Sequence, residues 1–316
     1  MFFRSESVPF QPDKDIPPLT GKVILVTGAN AGLGKQAVLE FARHKPQQIW
    51  LAARSVEKAT AAADEIRKHV PDAPITVLQL DLASFASIKA AAATVLASPA
   101  QRLDILMLNA GIMAVPHGRT ADDYEIQFGT NHMGHALLTK LLLPLLTKTA
   151  AEGGPNADVR IVSLSSDAHT FLERGGLDLT TVKGTDGAPR SPFPLYSQSK
   201  LANALWARQL AKEYPQFTVA AVHPGVVQTQ LLEATQVPEF LKALARGVVG
   251  RLILTSVEQG VRNQLWAAVA PKETIKSGEY YVPVGVAGRA SEDGQNDELA
   301  KKLWDWTENE LKEHCV

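Results

Sequence analysis

The chain has 316 residues, with 32 Lys and Arg against 33 Asp and Glu and no run of like charge, which argues against nucleic acid or an anionic membrane as a partner. Hydrophobic residues make up 45% and charged residues 21% of the chain, a balance that excludes a disordered protein and provides for a large core. The single cysteine, Cys315, excludes an internal disulfide framework and a zinc cluster of thiolates, and it predicts a reducing, cytoplasmic location.

Residues 1–20 are interpreted as an N-terminal extension, because charged residues such as Arg4, Glu6 and Asp13 interrupt them. A signal peptide would need an apolar stretch of about 7 to 15 residues, which this segment lacks. The most apolar run of the chain, 141–146, contains Pro144 and is far shorter than the roughly 20 residues that span a bilayer. We therefore expect neither secretion nor an integral membrane segment.

Short, nearly continuous apolar runs alternate along the chain with stretches of helix-forming residues. Strands that are apolar on both faces are typical of a parallel sheet covered by helices on both sides. The pattern predicts an α/β fold with a Rossmann-type, doubly wound, parallel sheet. No change in composition divides the chain, so we expect a single domain over 21–290, with a C-terminal helix within 291–316 packed on that domain. The seven predicted strands are 22–27, 48–53, 75–80, 103–108, 159–164, 217–222 and 279–284.

Two segments interrupt the alternation of strands and helices. Residues 167–195 are rich in Gly, Pro and Thr, and residues 226–255 carry large apolar residues at helix-like spacing. Each segment follows the carboxyl end of a predicted strand, where open α/β sheets bind their ligands. We interpret 167–195 as a substrate loop and 226–255 as a lid over a lipophilic or aromatic substrate, with surface decoration as the alternative interpretation.

The first predicted strand runs directly into the glycine-rich segment 27–35, Thr-Gly-Ala-Asn-Ala-Gly-Leu-Gly-Lys, and a predicted helix follows. Glycines in this position let backbone N–H groups approach a pyrophosphate at the positive end of the helix. A nucleoside triphosphate P-loop would need Gly at position 29 and Ser or Thr at position 36, and Ala29 and Gln36 exclude it. The segment therefore predicts a dinucleotide-binding loop.

The spacing Gly-x-x-x-Gly-x-Gly after Thr27, together with Asn109-Ala110-Gly111 and Tyr196-x-x-x-Lys200, resembles the motifs of the classical short-chain dehydrogenase/reductase superfamily over roughly residues 20–290. The resemblance implies a nicotinamide-dependent oxidoreductase. It implies a catalytic set of Asn131, Ser166, Tyr196 and Lys200, an adenine contact at Asp81 and a carboxamide contact after Pro224. The implied cofactor-binding residues are Thr27, Gly28, Asn30, Gly32, Leu33, Gly34, Asp81, Leu82, Asn109, Ala110, Gly111, Tyr196, Lys200, Pro224, Gly225, Val227 and Thr229.

The choice between NADP(H) and NAD(H) depends on the residue about 20 positions after the glycine loop. An acid there bonds the ribose 2′-OH of NAD(H), whereas an arginine neutralises the 2′-phosphate of NADP(H). That position is Arg54, and the first acid after it is Glu57, so we predict that Arg54 binds NADP(H) in preference to NAD(H). Two points leave NAD(H) open: Arg54 could be a solvated residue at a helix start, and Ala31 stands where many NADP-dependent members carry a basic residue.

Tyr196 and Lys200 are four residues apart on a predicted helix, so they share one face. A phenol has an unperturbed pKa near 10, and a nearby ammonium favours the phenolate. We expect Lys200 to lower the pKa of Tyr196 towards neutral pH, where a general acid/base is most useful. Elsewhere, a Tyr and a Lys at this spacing form an ordinary amphipathic helix face, so the assignment depends on the resemblance.

The remaining catalytic roles also follow from the resemblance. Ser166 would donate a hydrogen bond to a substrate oxygen, with Ser163 and Ser165 as alternative candidates. Asn131 would hold a water that links Lys200 to solvent, a role compatible with a bond from its side chain to a backbone carbonyl.

The histidines and late tryptophans are interpreted as packing residues. His132 and His135 lie three residues apart without a third ligand in view, so no metal site is predicted. His223 precedes Pro224 at a strand end and is expected to pack beside the cofactor. Trp304 and Trp306 fall in the predicted C-terminal helix, where packing is the expected role.

Together these observations predict an NADP(H)-dependent enzyme that interconverts an alcohol and a carbonyl on a small molecule. Segments 159–162 and 201–203 are similar to retinol dehydrogenase-like members and to fungal reductases of secondary metabolism. No N-terminal apolar segment of the kind that anchors membrane-bound retinol dehydrogenases is present, so a retinoid substrate is not predicted. The alternatives are a catalytically silent NADP(H)-sensing protein and an epimerase or dehydratase on the same fold. Assembly into a homodimer or homotetramer is left open.

Overall fold

The computed structural model describes residues 7–154, 157–173, 175–183, 191–227 and 255–314. At the centre of these parts lies one sheet with the strand order β3-β2-β1-β4-β5-β6-β7-β8. Strands β1 to β7 run parallel, and β8 is antiparallel to β7. In chain order the strands are β1 Val23–Thr27, β2 Gln48–Ala53, β3 Ile75–Gln79, β4 Ile105–Leu108, β5 Val159–Leu164, β6 Phe217–Val222, β7 Tyr280–Val282 and β8 Val286–Ala287.

The helices of eight or more residues in the described parts are α1 Gly32–Arg43, α2 Val56–His69, α3 Phe85–Leu96, α4 Gly134–Gly153, α5 Pro192–Glu213, α6 Arg262–Val269 and α7 Asp297–Leu311. Short α-helical turns lie at Pro12–Asp15, Ile126–Phe128 and Val257–Gly260, and a π-helical turn at Gly129–Met133 leads into α4. Single 3₁₀ turns lie at Asp167–Phe171, Lys272–Thr274, Asp293–Gln295 and Lys312–His314. None of the helices in the described residues is both long enough and apolar enough to cross a bilayer.

The predicted α/β fold with a doubly wound parallel sheet is confirmed, and the predicted strand bounds lie within two residues of the observed ones. The expected number of seven strands is one too few. Val286–Ala287 adds a strand after a turn at Gly285, whose φ is +69°. A two-residue strand is too short to produce the periodicity that identifies a strand in sequence.

The core forms two layers because successive side chains of each buried strand point to opposite faces of the sheet. In β1, Val23 and Leu25 join the layer that contains α3, α4, α5 and α7. Ile24 and Val26 join the other layer, with α1, α2 and α6. Helices cover both faces, which explains why the strands are apolar along their whole length.

Helix α2 shows how the local sequence builds these layers. Ser55 caps its first turn by accepting a hydrogen bond from the Lys58 N–H at 3.2 Å. Its buried residues, Ala59, Ala62, Ala63 and Ile66, follow helical spacing and place one stripe against the sheet. The opposite face remains exposed to solvent.

Strand order reverses between β1 and β4, where the chain crosses from one side of the sheet to the other. Open α/β sheets bind ligands in the crevice outside the carboxyl ends of the strands at such a switch point. The glycine-rich segment follows β1 here, and Asn109 follows β4. The fold therefore brings both motifs to one edge.

Helix α7 packs on α5 rather than forming a separate unit. The Trp304 ring stacks on Trp206, with centroids 6.3 Å apart, and Thr307 Oγ1 lies 3.0 Å from His132 Nε2. Leu303 and Leu311 have no exposed surface. Helix α5 is consequently covered on both sides, by the sheet and by α7, and most of its residues are buried.

We expect Leu303→Ala to lower the free energy of unfolding by about 2 to 5 kcal/mol, because it opens a cavity beneath α7. The matched control is Lys302→Ala, since Lys302 is exposed on the same helix and should change stability by less than about 0.5 kcal/mol. Urea denaturation at neutral pH measures both. Equal stability of the two variants would contradict the packing of α7 on the core.

Candidate active site

A cavity of about 540 Å³ opens at the carboxyl edge of the sheet beside the β1/β4 switch point. Residues from five predicted motifs line it: the glycine loop, Arg54, the segment after β3, the segment after β4 and the catalytic helix. Among the residues assigned from the sequence, the lining includes Gly28, Asn30, Gly32, Leu33, Gly34, Arg54, Asp81, Leu82, Asn109, Ala110, Gly111, Tyr196, Lys200 and Pro224.

The glycine loop can take only glycine at two positions. A Cβ on Gly28, whose φ is +64°, would lie 2.8 Å from Ala110 Cα, and a Cβ on Gly34 would lie 2.5 Å from the backbone oxygen of Gly28. Gly32 begins α1 with φ +51°, and no side chain caps the free N–H groups there. The loop thus presents backbone donors and the positive end of a helix to the cavity, as a bound pyrophosphate requires.

Thr27 and Asn109 hold the cavity wall rather than facing into it with free polar groups. Asn109 Nδ2 donates to the Thr27 carbonyl at 2.8 Å, and Thr27 Oγ1 accepts from the Ala110 N–H at 2.9 Å. His135 Nδ1 must donate to the Asn131 carbonyl at 3.0 Å, so its Nε2 accepts the Thr27 hydroxyl proton at 2.9 Å. These bonds fix the ends of β1 and β4 against each other.

The two neighbouring histidines have separate polar partners. His132 Nε2 bonds to Thr307, whereas His135 bonds to Thr27 and the backbone of Asn131. Burial lowers the pKa of His132 to about 3 and that of His135 to about 4, so both rings are neutral at physiological pH. They act as neutral hydrogen-bonding groups inside the core.

Two cations face the cavity at the end of β2. Arg54 and Lys58 both line it, Arg54 just before the Ser55 cap of α2 and Lys58 in the first turn of that helix, and the guanidinium and ammonium have no hydrogen-bond or ion-pair partner among the described residues. Lys58 was missed in the sequence analysis, although it lies only four residues beyond Arg54. Asp81, which follows β3, also lines the cavity, and its Oδ1 accepts from the Ala83 N–H at 3.0 Å.

Tyr196 and Lys200 lie side by side in the wall formed by α5, with 5% and 4% of their surfaces exposed. Lys200 Nζ donates to the Leu164 carbonyl at 2.9 Å and lies 5.7 Å from the centre of the Tyr196 ring. The Ser166 side chain lies close enough to Tyr196 to favour its phenolate form. The chain therefore brings together three of the four residues assigned to catalysis.

The structure distinguishes Ser166 from the alternative serines. Ser165 Oγ donates to the Lys200 carbonyl at 2.7 Å and is buried, so its hydroxyl holds α5 to the sheet. Ser163 is buried inside β5. Ser166 caps the following 3₁₀ turn by accepting from the Ala168 N–H at 3.2 Å, which leaves its hydroxyl proton available for donation.

The expected lowering of the Tyr196 pKa towards neutral pH is wrong for this arrangement. Burial raises the pKa of Tyr196 to about 12, although its interaction with Ser166 opposes the shift. Burial also lowers the pKa of Lys200 to about 8. Desolvation disfavours the charged form of each group and is the largest cause of both shifts.

Asn131 serves as a brace with all its side-chain polar atoms engaged. Its Oδ1 accepts from the Ile112 N–H, and its Nδ2 donates to the Ile112 carbonyl and to Ser199 Oγ, each at 2.9 Å. Ser199 in turn donates to the Tyr196 carbonyl at 2.7 Å. The backbone bond foreseen for Asn131 is present, and Asn131 links the segment after β4 to the catalytic helix.

The segment after β6 completes the cavity. Pro224 lines it, and Gly225 has a φ of +88°. Val227 packs so closely on Gly260 that a Cβ there would lie 2.3 Å from it. Thr229 and most of the expected lid 226–255 lie outside the described residues, as do parts of the expected substrate loop 167–195.

Several lining residues had no assignment from the sequence. Apart from Lys58, they are small or apolar groups whose place in the cavity depends on the tertiary fold. They are Ala31, Ala53, Leu80, Ile112, Thr130 and Leu164; Ser165, an alternative candidate for the catalytic serine, also lines the cavity.

The chain is similar in sequence and in fold to known proteins. A family model described as short chain dehydrogenase matches residues 22–175. A short-chain dehydrogenase/reductase of Aspergillus calidoustus is 38% identical over 94% of this chain and 96% of its own, and human retinol dehydrogenase 13 is 37% identical over 90% and 83%. The NADPH-bound carbonyl reductase from chicken fatty liver superposes with a TM-score of 0.61 at 25% identity, covering 85% of this chain and 98% of that one.

The lowered pKa of Lys200 predicts a pH-dependent stability. Between pH 8 and pH 10 the folded chain holds Lys200 mainly neutral, while the unfolded chain, with an ordinary value of 10.5, keeps it protonated. The unfolded state binds more protons, so the free energy of unfolding gains up to about 1.36 kcal/mol per pH unit from Lys200 in this window and loses that gain as the pH falls through 8. The raised pKa of Tyr196 acts in the opposite direction only above about pH 10.

Urea denaturation of the wild type and of Lys200→Met at pH 8, 9 and 10 measures this contribution. The variant should show a smaller rise with pH than the wild type. Lys302→Met, at an exposed position on α7, controls for loss of a lysine and should keep the wild-type slope. Parallel curves for the wild type and Lys200→Met would argue against the burial of Lys200.

Proposed function

Because the chain belongs to the short-chain dehydrogenase/reductase family of oxidoreductases, we propose that it interconverts a carbonyl and an alcohol with NADP(H), using Tyr196 as the general acid/base. The observation that carries this proposal is that Tyr196 and Lys200, with Nζ 5.7 Å from the ring centre, line the same cavity as the glycine loop and Arg54. A proton donor and a phosphate-binding cation thus lie along one cavity.

The cavity fits a dinucleotide in its donor set. Gly28 and Gly34 leave a cradle that any Cβ would fill, and the N–H groups at the start of α1 suit a pyrophosphate. Asp81 would bind the adenine, and the chain from Pro224 would hold the carboxamide. When bound, the nicotinamide supplies the hydride.

The preference for NADP(H) is supported by the two unpaired cations after β2. Arg54 and Lys58 would bind the 2′-phosphate by charge-assisted hydrogen bonds, whereas a ribose 2′-OH would leave both cations without an anionic partner. The chicken carbonyl reductase that shares the fold binds NADPH.

Tyr196, Ser166 and Lys200 have different roles in the transfer of the proton. In the reductive direction Tyr196, protonated at neutral pH, donates its phenolic proton to the substrate oxygen. Ser166 donates a hydrogen bond to the same oxygen, and stabilises the charge that develops there. The Lys200 ammonium lies close enough to stabilise the phenolate that Tyr196 leaves behind.

A lipophilic or aromatic substrate is supported by the side chains around Tyr196. Phe171 is 74% exposed and Phe193 is 43% exposed, and their ring centres are 6.3 Å apart. Phe193 lies at the same distance from the Tyr196 ring. Exposed aromatic rings beside a catalytic group provide an apolar contact surface for a substrate.

Neither alternative accounts for the site as well. A protein that senses NADP(H) without turnover would need the glycine loop and Arg54 but not the Ser166–Tyr196 pair. An epimerase or dehydratase would leave no net change in NADPH, so steady consumption of NADPH with a ketone excludes it. A cytoplasmic location and a homodimer or homotetramer stay predictions.

Tyr196→Phe removes the proton donor and keeps the ring, so we expect turnover to fall by about 10²- to 10⁴-fold with NADPH binding retained. Acetophenone, 4-nitrobenzaldehyde and 9,10-phenanthrenequinone are screened by the absorbance of NADPH, and the carbonyl that the wild type reduces fastest serves for all variants. NADPH affinity is measured by fluorescence titration. Tyr214→Phe, at the far end of α5, is the control and should keep wild-type turnover. Near-normal turnover in Tyr196→Phe would refute the mechanism.

Arg54→Asp should invert the cofactor preference. The substitution removes a charge-assisted bond of about 1.5 to 3 kcal/mol and adds repulsion, so kcat/KM with NADPH should fall at least about 10-fold, at 1.36 kcal/mol per tenfold. NADH has no 2′-phosphate, and its 2′-OH can donate to the new carboxylate. Lys68→Asp makes the same charge change on the exposed far end of α2 and should leave the ratio unchanged. A wild type that prefers NADH, or an unchanged ratio in Arg54→Asp, would show that Arg54 does not select the cofactor.

A further inference from the structure

The turn that carries Ser166 is tied to the far half of the sheet by its next residue, Asp167. The Tyr280 hydroxyl, on β7, donates to Asp167 Oδ1 at 2.7 Å. His223, just after β6, places its Nε2 3.4 Å from Asp167 Oδ2. Two side chains from two neighbouring strands therefore meet one carboxylate directly after the catalytic serine.

The Tyr280 hydroxyl stays protonated and therefore always acts as a hydrogen-bond donor. Its side chain is buried, with 4% of its surface exposed, and its ring packs edge-on against His169 at 4.8 Å. Burial and the adjacent Asp167 carboxylate raise the pKa of Tyr280, so the phenol stays protonated. Its proton has an anionic acceptor, and such bonds are the stronger kind.

His169 fixes the backbone of the same turn. Its Nε2 accepts from the Ser291 N–H at 3.1 Å, so the proton of the neutral ring must be on Nδ1. That Nδ1–H donates to the Ser166 carbonyl at 2.5 Å. The Ser166 carbonyl and the Asp167 carboxylate are thus both held from outside the turn.

These anchors determine where the Ser166 hydroxyl points. Its oxygen accepts from the Ala168 N–H, so the orientation of the 3₁₀ turn sets the direction in which the remaining proton is donated. Asp167 begins that turn, and displacement of Asp167 would move the donor away from Tyr196.

We propose that Tyr280 and Asp167 are positioning residues that hold the Ser166 hydroxyl against Tyr196 and the substrate oxygen. The inference rests on the catalytic roles proposed for Ser166 and Tyr196. Tyr280 lies 113 residues along the chain from Asp167, so the far half of the sheet contributes directly to the geometry of the catalytic serine.

Adjacent tyrosines on β7 allow a matched test. Tyr281 lies next to Tyr280 but faces the other layer of the core, and its hydroxyl bonds to the backbone of Lys276. Each Tyr→Phe substitution removes one hydroxyl that is hydrogen-bonded in the folded protein. Asp167 is half-exposed, so Tyr280→Phe leaves its carboxylate in contact with water and the fold intact.

We expect Tyr280→Phe to lower kcat by about 10- to 100-fold with KM for NADPH unchanged, because a small misplacement of a catalytic group costs rate rather than cofactor binding. Tyr281→Phe should keep the wild-type kcat, although it should lower the thermal stability by about as much as Tyr280→Phe does. Asp167→Ala should match Tyr280→Phe, and Asp167→Asn, which keeps an acceptor for the Tyr280 hydroxyl, should recover most of the rate. An unchanged kcat in Tyr280→Phe overturns the proposal, as does an equal loss of kcat in Tyr281→Phe.

A double-mutant cycle separates this proposal from the proposed function. If Tyr280 acts through Ser166, then Tyr280→Phe should cost no further turnover in a Ser166→Ala background. Losses that multiply independently would overturn the positioning role while Ser166 keeps its catalytic role. Wild-type turnover in Ser166→Ala would instead refute the catalytic role proposed for Ser166, and the positioning role with it.

Discussion

Desolvation of a phenol and an ammonium in one buried wall is the constraint on which the site depends. Tyr196 and Lys200 are buried because α5 is covered by the sheet on one side and by α7 on the other. Their pKa values move apart, that of Tyr196 up to about 12 and that of Lys200 down to about 8, since burial disfavours phenolate and ammonium alike. Every polar contact that reaches these two groups therefore has a large influence on their protonation.

Backbone and side-chain contacts around that wall come from different parts of the sheet. The carbonyl of Leu164, at the end of β5, accepts from Lys200, and Ser166 reaches Tyr196 from the turn that follows. Asn131 braces the opposite end by joining Ile112 to Ser199. Because parallel strands end at one edge, short segments after β4 and β5 suffice to surround the helix.

The sequence predicted those features that repeat or that depend on local geometry. Buried parallel strands produce continuous apolar runs, and the glycine loop at 28–34 is required by close backbone contacts that no other residue permits. Tyr196 and Lys200 were recognisable from their spacing together with the resemblance. Lys58 could also be predicted from the sequence, since it lies four residues beyond Arg54.

The features that sequence reasoning missed arise from tertiary contacts. The expected lowering of the Tyr196 pKa was wrong because it rested on the attraction of Lys200 alone, whereas the cost of burial depends on the packing of α5, which the sequence does not reveal. Strand β8 has two residues and leaves no periodic signal. The contact of Tyr280 with Asp167 spans 113 residues and has no local pattern at all.

The two halves of the sheet have different tasks, and α5 is where these meet. Strands β1 to β4 supply the glycine loop, Arg54 and Asp81, which shape the cavity at its cofactor end. Strands β5 to β7 fix the serine turn through Ser165 and Asp167. Under the proposed function, a substitution in the first half changes the affinity for cofactor while the serine turn remains in place. A substitution in the second half changes the rate while the glycine loop remains intact. Only α5, which carries Tyr196 and Lys200, contacts the elements of both halves, because it is packed between the sheet and α7.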